Sequence, residues 1–172
     1  MKKFLLLVTL LMLLSACASA QPGMLTVMTH NSFAVSEDVV RACEEANNVK
    51  VVFLQGGDAG AMLNQAILTK DAPLADVLFG VDNTFLSRAL DADIFEPYSS
   101  LLLNEISPEF ILDEAHRALP MDYGDVCINY DKAYFAENNP PVPQSFDDLL
   151  KPEYSNLLVV ENPSTSSPGL AF

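Results

Sequence analysis

The first half of the chain alternates strand-like and helix-like segments. The segments Leu25–Thr29, Val49–Leu54 and Ala75–Val81 are rich in apolar and β-branched residues, which is typical of strands in a covered sheet. Between them, Ser36–Asn47 and Ala59–Thr69 repeat apolar residues at the spacing of a helical turn. Because strands that alternate with helices form parallel sheets covered by helices, this pattern predicts an α/β fold.

The second half of the chain is less regular. A loop and short helix are predicted at Phe95–Ser107, with a buried patch at Leu101–Leu103. Extended segments follow at Ala118–Tyr123 and Val126–Tyr130, on either side of Gly124. The remaining predicted elements are a non-helical connector at Asn138–Pro143, a short capped helix at Ser145–Leu150 and a strand at Leu157–Val160. The connector is assigned from its three prolines, which a helix interior does not tolerate.

A turn rich in serine and threonine follows the last predicted strand. It runs from Asn162 to Gly169, and Pro168 stands where a helix would begin. Hydroxyls and free backbone N–H groups at such a helix start suit an anion or a hydroxyl. The sequence stops at Phe172, in the first turn of that predicted helix, so we expect the chain to be a fragment of a longer protein.

The N-terminus has the pattern of a secretory signal. Two lysines precede the apolar run Phe4–Leu14, and Leu14-Ser15-Ala16-Cys17 follows. The run is shorter than the roughly 20 residues that a membrane-spanning helix needs. The last four residues resemble the lipobox of bacterial lipoproteins, in which the cysteine is lipidated and becomes the new N-terminus. We therefore predict a signal peptide at 1–16, lipidation at Cys17 and a tether at 17–23, with an ordinary cleaved signal as the alternative.

Cysteine and histidine positions do not indicate a metal site. Cys43 falls on the apolar face of a predicted helix and Cys127 within an apolar segment, so we predict two buried free thiols, with a disulfide as the alternative. His30 and His116 stand apart from other metal-ligating residues, and His116 is predicted to lie on the surface of a polar helical stretch. No zinc pattern results.

Composition limits the class of function. Half of the residues are hydrophobic, which excludes global disorder. The formal net charge is −14, and such a surface repels phosphate backbones, so nucleic-acid binding is excluded. An acidic surface suits a cationic ligand, although it equally suits solubility.

No pattern of catalytic residues stands out. Neighbouring carboxylates such as Asp147 and Asp148 point in different directions on a helix, which indicates a solvated face rather than an acid–base pair. No nucleophile elbow or phosphate-binding glycine loop is present in the sequence. We predict no enzymatic activity and no cofactor, with a hydrolase or a sensor lipoprotein without a transporter as alternatives.

The leader, the first strand and three later segments together resemble the substrate-binding proteins of bacterial ABC importers. The later segments are Ala75–Gly80, Pro140–Leu149 and Leu157–Val160. The resemblance implies a type II periplasmic-binding-protein-like α/β fold whose two lobes close on a ligand. Residues 24–118 would then form the N-terminal part of lobe 1, and residues 119–172 a crossing strand and an incomplete lobe 2.

Five motifs resemble the thiamine-binding branch of these proteins. They are Thr29–Phe33, Gly80–Asn83, Asp122–Gly124, Asn129–Lys132 and Ser164–Leu170. The resemblance implies a periplasmic or outer-surface protein, monomeric and lipid-anchored, that captures thiamine or its phosphates and delivers them to an ABC permease. Ferric iron, a polyamine or another small cation are alternative ligands for the same fold.

The same resemblance implies a set of ligand-binding residues. Asp58 would face the positively charged thiazolium ring, and Ser166 would contact the hydroxyethyl or phosphate end. The alternative for Asp58, and for Asp82 with Asn83, is a helix cap. His30 stands where the branch usually has a tyrosine, and the sequence has no tryptophan. The complete predicted set is His30, Ser32, Asp58, Asp82, Asn83, Tyr123, Thr165 and Ser166.

Overall fold

The computed structural model describes residues 21–172. The predicted signal peptide at 1–16, the lipidation at Cys17 and the first part of the tether at 17–23 therefore lie outside the described residues. The first strand, β1 (Gly23–Thr29), starts two residues earlier than the sequence predicts, so the last residue of the predicted tether belongs to the sheet. The predicted boundaries of the two lobes stay a prediction.

A three-stranded parallel sheet organises the first half of the chain. β1 lies at its centre, between β2 (Val49–Gln55) and β3 (Val77–Phe79). β1 pairs with β2 along its whole length, and its last three residues pair with β3. The α/β class with a parallel sheet is thereby confirmed, although β3 is shorter than predicted.

Helices follow the strands in chain order. Ser36 precedes α1 in an extended conformation, and the acidic Glu37 and Asp38 in the first turn suit the positive end of the helix dipole. The helices are α1 (Glu37–Asn47), α2 (Ala59–Leu68), α3 (Leu86–Asp91), α4 (Lys132–Asn138) and α5 (Ser167–Ala171), and short 3-10 helices cover Leu101–Glu105, Pro108–Phe110, Asp147–Leu150 and Pro152–Tyr154.

The hydrophobic core lies between the sheet and the helices of the first half. Leu63 of α2 packs with Phe85 and Ala89 at α3, and all three are buried. Met28 of β1 and Met62 of α2 are also almost fully buried. The apolar spacing that predicts α2 therefore marks the face that enters the core, because residues three and four apart lie on one side of a helix.

Several expectations for the second half are wrong. Leu157–Val160 is not the predicted strand, since it forms no sheet ladder within residues 21–172. The segments on either side of Gly124, which the sequence predicts only to be extended, also pair with no strand in this range. A strand is stable only when a neighbouring strand takes its backbone hydrogen bonds, and these segments have no such neighbour in the described chain. The predicted buried leucine patch is also wrong, since Leu101 is 87% exposed and Leu102 is 64% exposed.

The remaining corrections concern cysteine and histidine. Cys43 and Cys127 are free thiols, as predicted, but both are exposed rather than buried. α1 has no buried residue, so its apolar face, which carries Cys43, is only partly covered by the rest of the protein. His116 lies in a turn with a positive φ of 55°, half-buried, rather than on a surface helix.

Candidate functional site

The carboxyl ends of the three parallel strands meet at one edge of the sheet. Thr29, the last residue of β1, pairs with Gln55 on one side and with Phe79 on the other. The loops that follow these residues therefore start side by side. This edge is where open α/β sheets bind ligands.

The first two loops are joined by hydrogen bonds. The backbone N–H of Asn31 donates to the carbonyl oxygen of Gly57 (2.9 Å), and the Asn31 side-chain oxygen accepts from the Gly57 N–H (3.3 Å). Gly57 has a φ of +91°, a conformation that side chains with a Cβ rarely adopt. Ser32 lies exposed in the turn that Asn31 begins. Asn31 is a positioning residue that the sequence analysis missed.

An aromatic cluster lies behind the first loop. The ring of His30 stacks on Phe79 with a centroid distance of 6.2 Å, and Phe33 meets Phe79 edge-on at 4.9 Å. Gly80 makes room for the imidazole, because a Cβ at this position would lie 2.4 Å from His30 Cδ2. The glycine after β3 thus sets the position of the predicted ligand residue His30.

Asp58 lies at the start of α2 but does not cap it with its side chain. Its carbonyl oxygen accepts the first helical hydrogen bond from the Met62 N–H (2.9 Å). Its carboxylate oxygen Oδ2 instead accepts from the Thr165 hydroxyl at 3.4 Å, across 107 residues of chain. The side chain therefore makes no hydrogen bond that caps the helix, and it remains exposed at the edge of the sheet.

The Ser/Thr-rich turn packs directly on the start of α2. The Gly60 N–H donates to the Thr165 carbonyl oxygen at 2.8 Å. A Cβ on Gly60 would lie within 3.0 Å of the Phe85 ring and 3.1 Å of the carbonyl oxygens of Ser164 and Thr165. Gly60 thus permits the close approach that brings Thr165 and Ser166 beside Asp58. A glycine in the first turn of a helix is a weak signal of such an approach, and the sequence analysis did not use it.

Ser166 is the cap of α5. It is only 5% exposed, and its hydroxyl oxygen accepts from the Gly169 N–H at 3.2 Å. The same hydroxyl donates to the carboxylate of Glu161. The Ser166 hydroxyl therefore has two partners within the chain, and its contact with a ligand stays a prediction. Glu161 is a neighbour that the sequence analysis missed.

Asp82 and Asn83 of the third loop lie in a local turn, whereas Tyr123 lies apart from the edge of the sheet. The carboxylate of Asp82 accepts from the backbone N–H (3.1 Å) and the hydroxyl (2.6 Å) of Thr84, which is a local turn, while Asn83 is exposed beside it. Tyr123 is 79% exposed and stacks on Phe110 with a centroid distance of 5.1 Å. No hydrogen bond or ring contact of the described residues joins Tyr123 to the carboxyl edge of the sheet.

Two cavities are lined by chain neighbours of the predicted ligand residues rather than by those residues themselves. One, of about 730 Å³, lies among the unpaired segments of the second half and includes Val126, Tyr130 and Val159. The other, of about 590 Å³, lies between α1 and β2 and includes Thr29 and Phe53. None of the predicted ligand residues lines either cavity.

Residues 21–172 show neither a membrane-spanning helix nor a metal-binding cluster. None of the helices there is long and apolar enough to cross a bilayer. No group of three or more histidine, cysteine, aspartate or glutamate side chains in the same range is placed to hold a metal ion.

Comparison with curated proteins finds relatives along almost the whole chain. The chain is 31% identical to the thiamine-binding periplasmic protein of Salmonella typhimurium (strain LT2), with 100% of this chain and 51% of that protein aligned. It is 32% identical to the protein of the same description from Escherichia coli (strain K12), over 95% of this chain and 49% of the relative. The chain spans about half the length of the curated relatives it matches.

A solved structure shows the same fold. The periplasmic binding protein AfuA from Actinobacillus pleuropneumoniae, with exogenous fructose-6-phosphate bound, superimposes with a TM-score of 0.62 at 20% identity. The match covers 84% of this chain and 46% of AfuA. The family model described as bacterial extracellular solute-binding protein matches residues 72–172. With its parallel sheet and its loops gathered at one edge, the chain belongs to the family of bacterial extracellular solute-binding proteins.

Proposed function

We propose that the chain is the ligand-binding part of an extracytoplasmic lipoprotein that serves an ABC importer and captures thiamine. The protein acts as a monomer held to the membrane through lipid on Cys17. Its two lobes close on the ligand and present it to a membrane permease, and no bond in the ligand is made or broken. Family membership and relatives described as thiamine-binding support this proposal.

The exposed carboxylate of Asp58 is the observation that carries the proposal. It lies at the carboxyl edge of the sheet with one long hydrogen bond, from Thr165 at 3.4 Å. A thiazolium ring is a permanent cation, so it is suited by a carboxylate that makes no hydrogen bond to the helix backbone. The formal net charge of −14 also raises the local concentration of a cation.

The aromatic cluster supplies the second requirement of a flat heterocyclic cation. His30, Phe33 and Phe79 gather at the same edge, with centroid distances of 4.9 and 6.2 Å to Phe79. Aromatic faces attract a cation and exclude water from one side of it. A carboxylate and aromatic rings on neighbouring loops are the combination that a thiazolium needs.

Calorimetric titration of the full-length protein with thiamine tests the proposal. Asp58→Asn keeps the shape of the side chain and removes its charge. A hydrogen bond or contact to a charged group contributes about 1.5–3 kcal/mol, so we expect the Kd for thiamine to rise roughly ten- to a hundredfold. Asp71→Asn is the matched control, because Asp71 is exposed in the turn after α2, and it should leave the Kd unchanged.

Two results would contradict the proposal at different levels. Full affinity in Asp58→Asn would remove the role of this carboxylate while leaving thiamine as the ligand. No heat of binding with thiamine in the unmodified protein would end the thiamine assignment. Spermidine and ferric iron, titrated in the same way, test the alternative ligands.

A further inference from the structure

β2 is an outermost strand of the sheet. The strand order within residues 21–172 is β2–β1–β3, so β2 pairs with β1 alone in this range. A strand with a free edge presents unpaired N–H and C=O groups to other chains. β2 is rich in β-branched and aromatic residues and has no proline, and its Val52 and Phe53 are 41% and 39% exposed. Such a segment favours pairing with another strand.

The hydrogen bonds at the two ends of the β1–β2 ladder show which residues of β2 face outward. At one end, the Gly23 N–H donates to the Asn48 carbonyl oxygen (3.1 Å). At the other end, the Gly56 N–H donates to the Thr29 carbonyl oxygen (2.9 Å). Because the bonds of a parallel ladder recur every two residues along a strand, the even-numbered residues of β2 face β1. The N–H groups of the odd-numbered residues, Val51 among them, therefore point to the free edge.

The outward N–H of Val51 is occupied by a side chain. It donates to Oε1 of Glu44, a residue of α1, at 2.9 Å. The Lys50 ammonium lies 3.0 Å from both oxygens of the same carboxylate. The hydrogen bond from Val51, followed by that from Lys50, lowers the pKa of Glu44, so the carboxylate stays ionised at neutral pH. A carboxylate from a neighbouring helix thus takes the place that the carbonyl oxygen of another strand would occupy.

We propose that the contact of Glu44 with Val51 is autoinhibitory, because it closes the outer edge of β2 and keeps two copies of the chain from pairing edge to edge. Two β2 edges related by a twofold axis would pair antiparallel, and the Val51 N–H of each copy would donate to a carbonyl oxygen of the other. Glu44 takes that donor and fills the space that the incoming strand needs. This role of Glu44 does not depend on which ligand the protein binds.

Sedimentation velocity of the full-length protein over a range of concentrations tests the proposal. Glu44→Ala frees the Val51 N–H, and a twofold pairing forms each new hydrogen bond twice. We therefore expect this variant to self-associate at a concentration roughly ten- to a hundredfold lower than the unmodified protein requires. Glu45→Ala removes the neighbouring carboxylate, which is exposed on α1, and it should sediment like the unmodified protein.

Adding Val51→Pro to Glu44→Ala distinguishes closure of the edge from a purely structural role. Proline lacks the N–H and is tolerated where that group would face away from the sheet, so the double variant should sediment like the unmodified protein. If Glu44 served only to fasten α1 to β2, its loss would lower the free energy of unfolding without changing self-association. Proline would then restore nothing.

Hydrogen exchange in the unmodified protein supplies a measurement that needs no variant. The Val51 N–H should exchange at least about tenfold more slowly than that of Phe53, the next outward residue of β2. Equal exchange of the two amides would overturn the proposal, as would a Glu44→Ala protein that self-associates no more than the unmodified one. Self-association that persists in the double variant would also overturn it, because the copies would then meet through another surface.

Discussion

The two halves of the chain differ in whether their strand-like segments pair with a neighbouring strand. In the first half, β1 pairs with β2 and β3, and all three lie within residues 23–79. In the second half, Val126–Tyr130 and Leu157–Val160 are equally apolar in sequence but form no ladder among the described residues. A strand-favouring sequence therefore becomes a strand only where a partner strand is present to accept and donate its backbone hydrogen bonds.

The halves meet at the start of α2. The Ser/Thr-rich turn of the second half docks there through the hydrogen bond from Gly60 to Thr165 and the contact of Thr165 with Asp58. The candidate site thus lies where the Ser/Thr-rich turn of the second half packs beside the carboxyl edge of the sheet.

Truncation of a core leucine should have the largest effect. Leu63→Ala removes a fully buried side chain from the cluster with Phe85 and Ala89, and we expect it to lower the free energy of unfolding by about 2–5 kcal/mol. Leu101→Ala removes an equal volume from a side chain that is 87% exposed, and a change within about 0.5 kcal/mol is expected. Urea denaturation of the full-length protein measures both. Equal losses would show that Leu101 is also packed, and the contrast between the halves would then be wrong.

A methyl group at the contact between the halves should have an intermediate effect. In Gly60→Ala the new Cβ would press on the Phe85 ring and on two backbone carbonyl oxygens at 3.0–3.1 Å. Such overpacking costs about 1–3 kcal/mol, more than the gain in helix propensity of up to about 1 kcal/mol that alanine brings.

Gly124→Ala is the matched control for this substitution. A Cβ at Gly124 would meet no atom within 4 Å, so the stability should change by less than about 0.5 kcal/mol. Urea denaturation gives the stability of both variants, and calorimetry with thiamine reports whether the turn has moved. An unchanged Gly60→Ala protein would show that the turn does not dock on α2 as described.

An ion pair in the second half should give the smallest effect. The Arg117 side chain, hydrogen-bonded to the Asp113 carboxylate at 3.1 and 3.3 Å, lowers the pKa of Asp113 from its ordinary value of 3.8 to about 2. The ionised form is therefore favoured in the folded state. Its stabilisation is complete above about pH 4 and is lost as the pH falls toward 2.

Asp113→Asn should accordingly lower the melting temperature slightly at neutral pH. The difference from the unmodified protein should shrink as the pH falls through the window between 4 and 2, as followed by calorimetric melting. Asp71→Asn, which removes a carboxylate exposed in the turn after α2, is the control and should change little at any pH. A difference that stays constant across this window would remove the ion pair as its cause.

Much of the candidate site follows from the sequence, and part of it does not. The position of Asp58 and His30 at one edge follows from parallel strands, whose carboxyl ends meet. Thr165 reaches this edge only because the Ser/Thr-rich turn packs on the start of α2. The roles of Asn31 and Gly60 were missed because each depends on a distant neighbour brought close by folding. Asn31 meets Gly57 across 26 residues, and Gly60 meets Thr165 across more than 100. No periodicity in the sequence reports such distances.

The sequence by itself determined the alternation of strands and helices in the first half, the parallel sheet and the starts of α1 and α2. These follow from spacing and local hydrogen bonding, which a short window of residues contains. The tertiary structure alone decided the exposure of Cys43 and Cys127, the unpaired state of the later apolar segments, and the hydrogen bond from Thr165 to Asp58. Burial and hydrogen-bond direction depend on which groups meet in space, and only the folded chain brings those groups together.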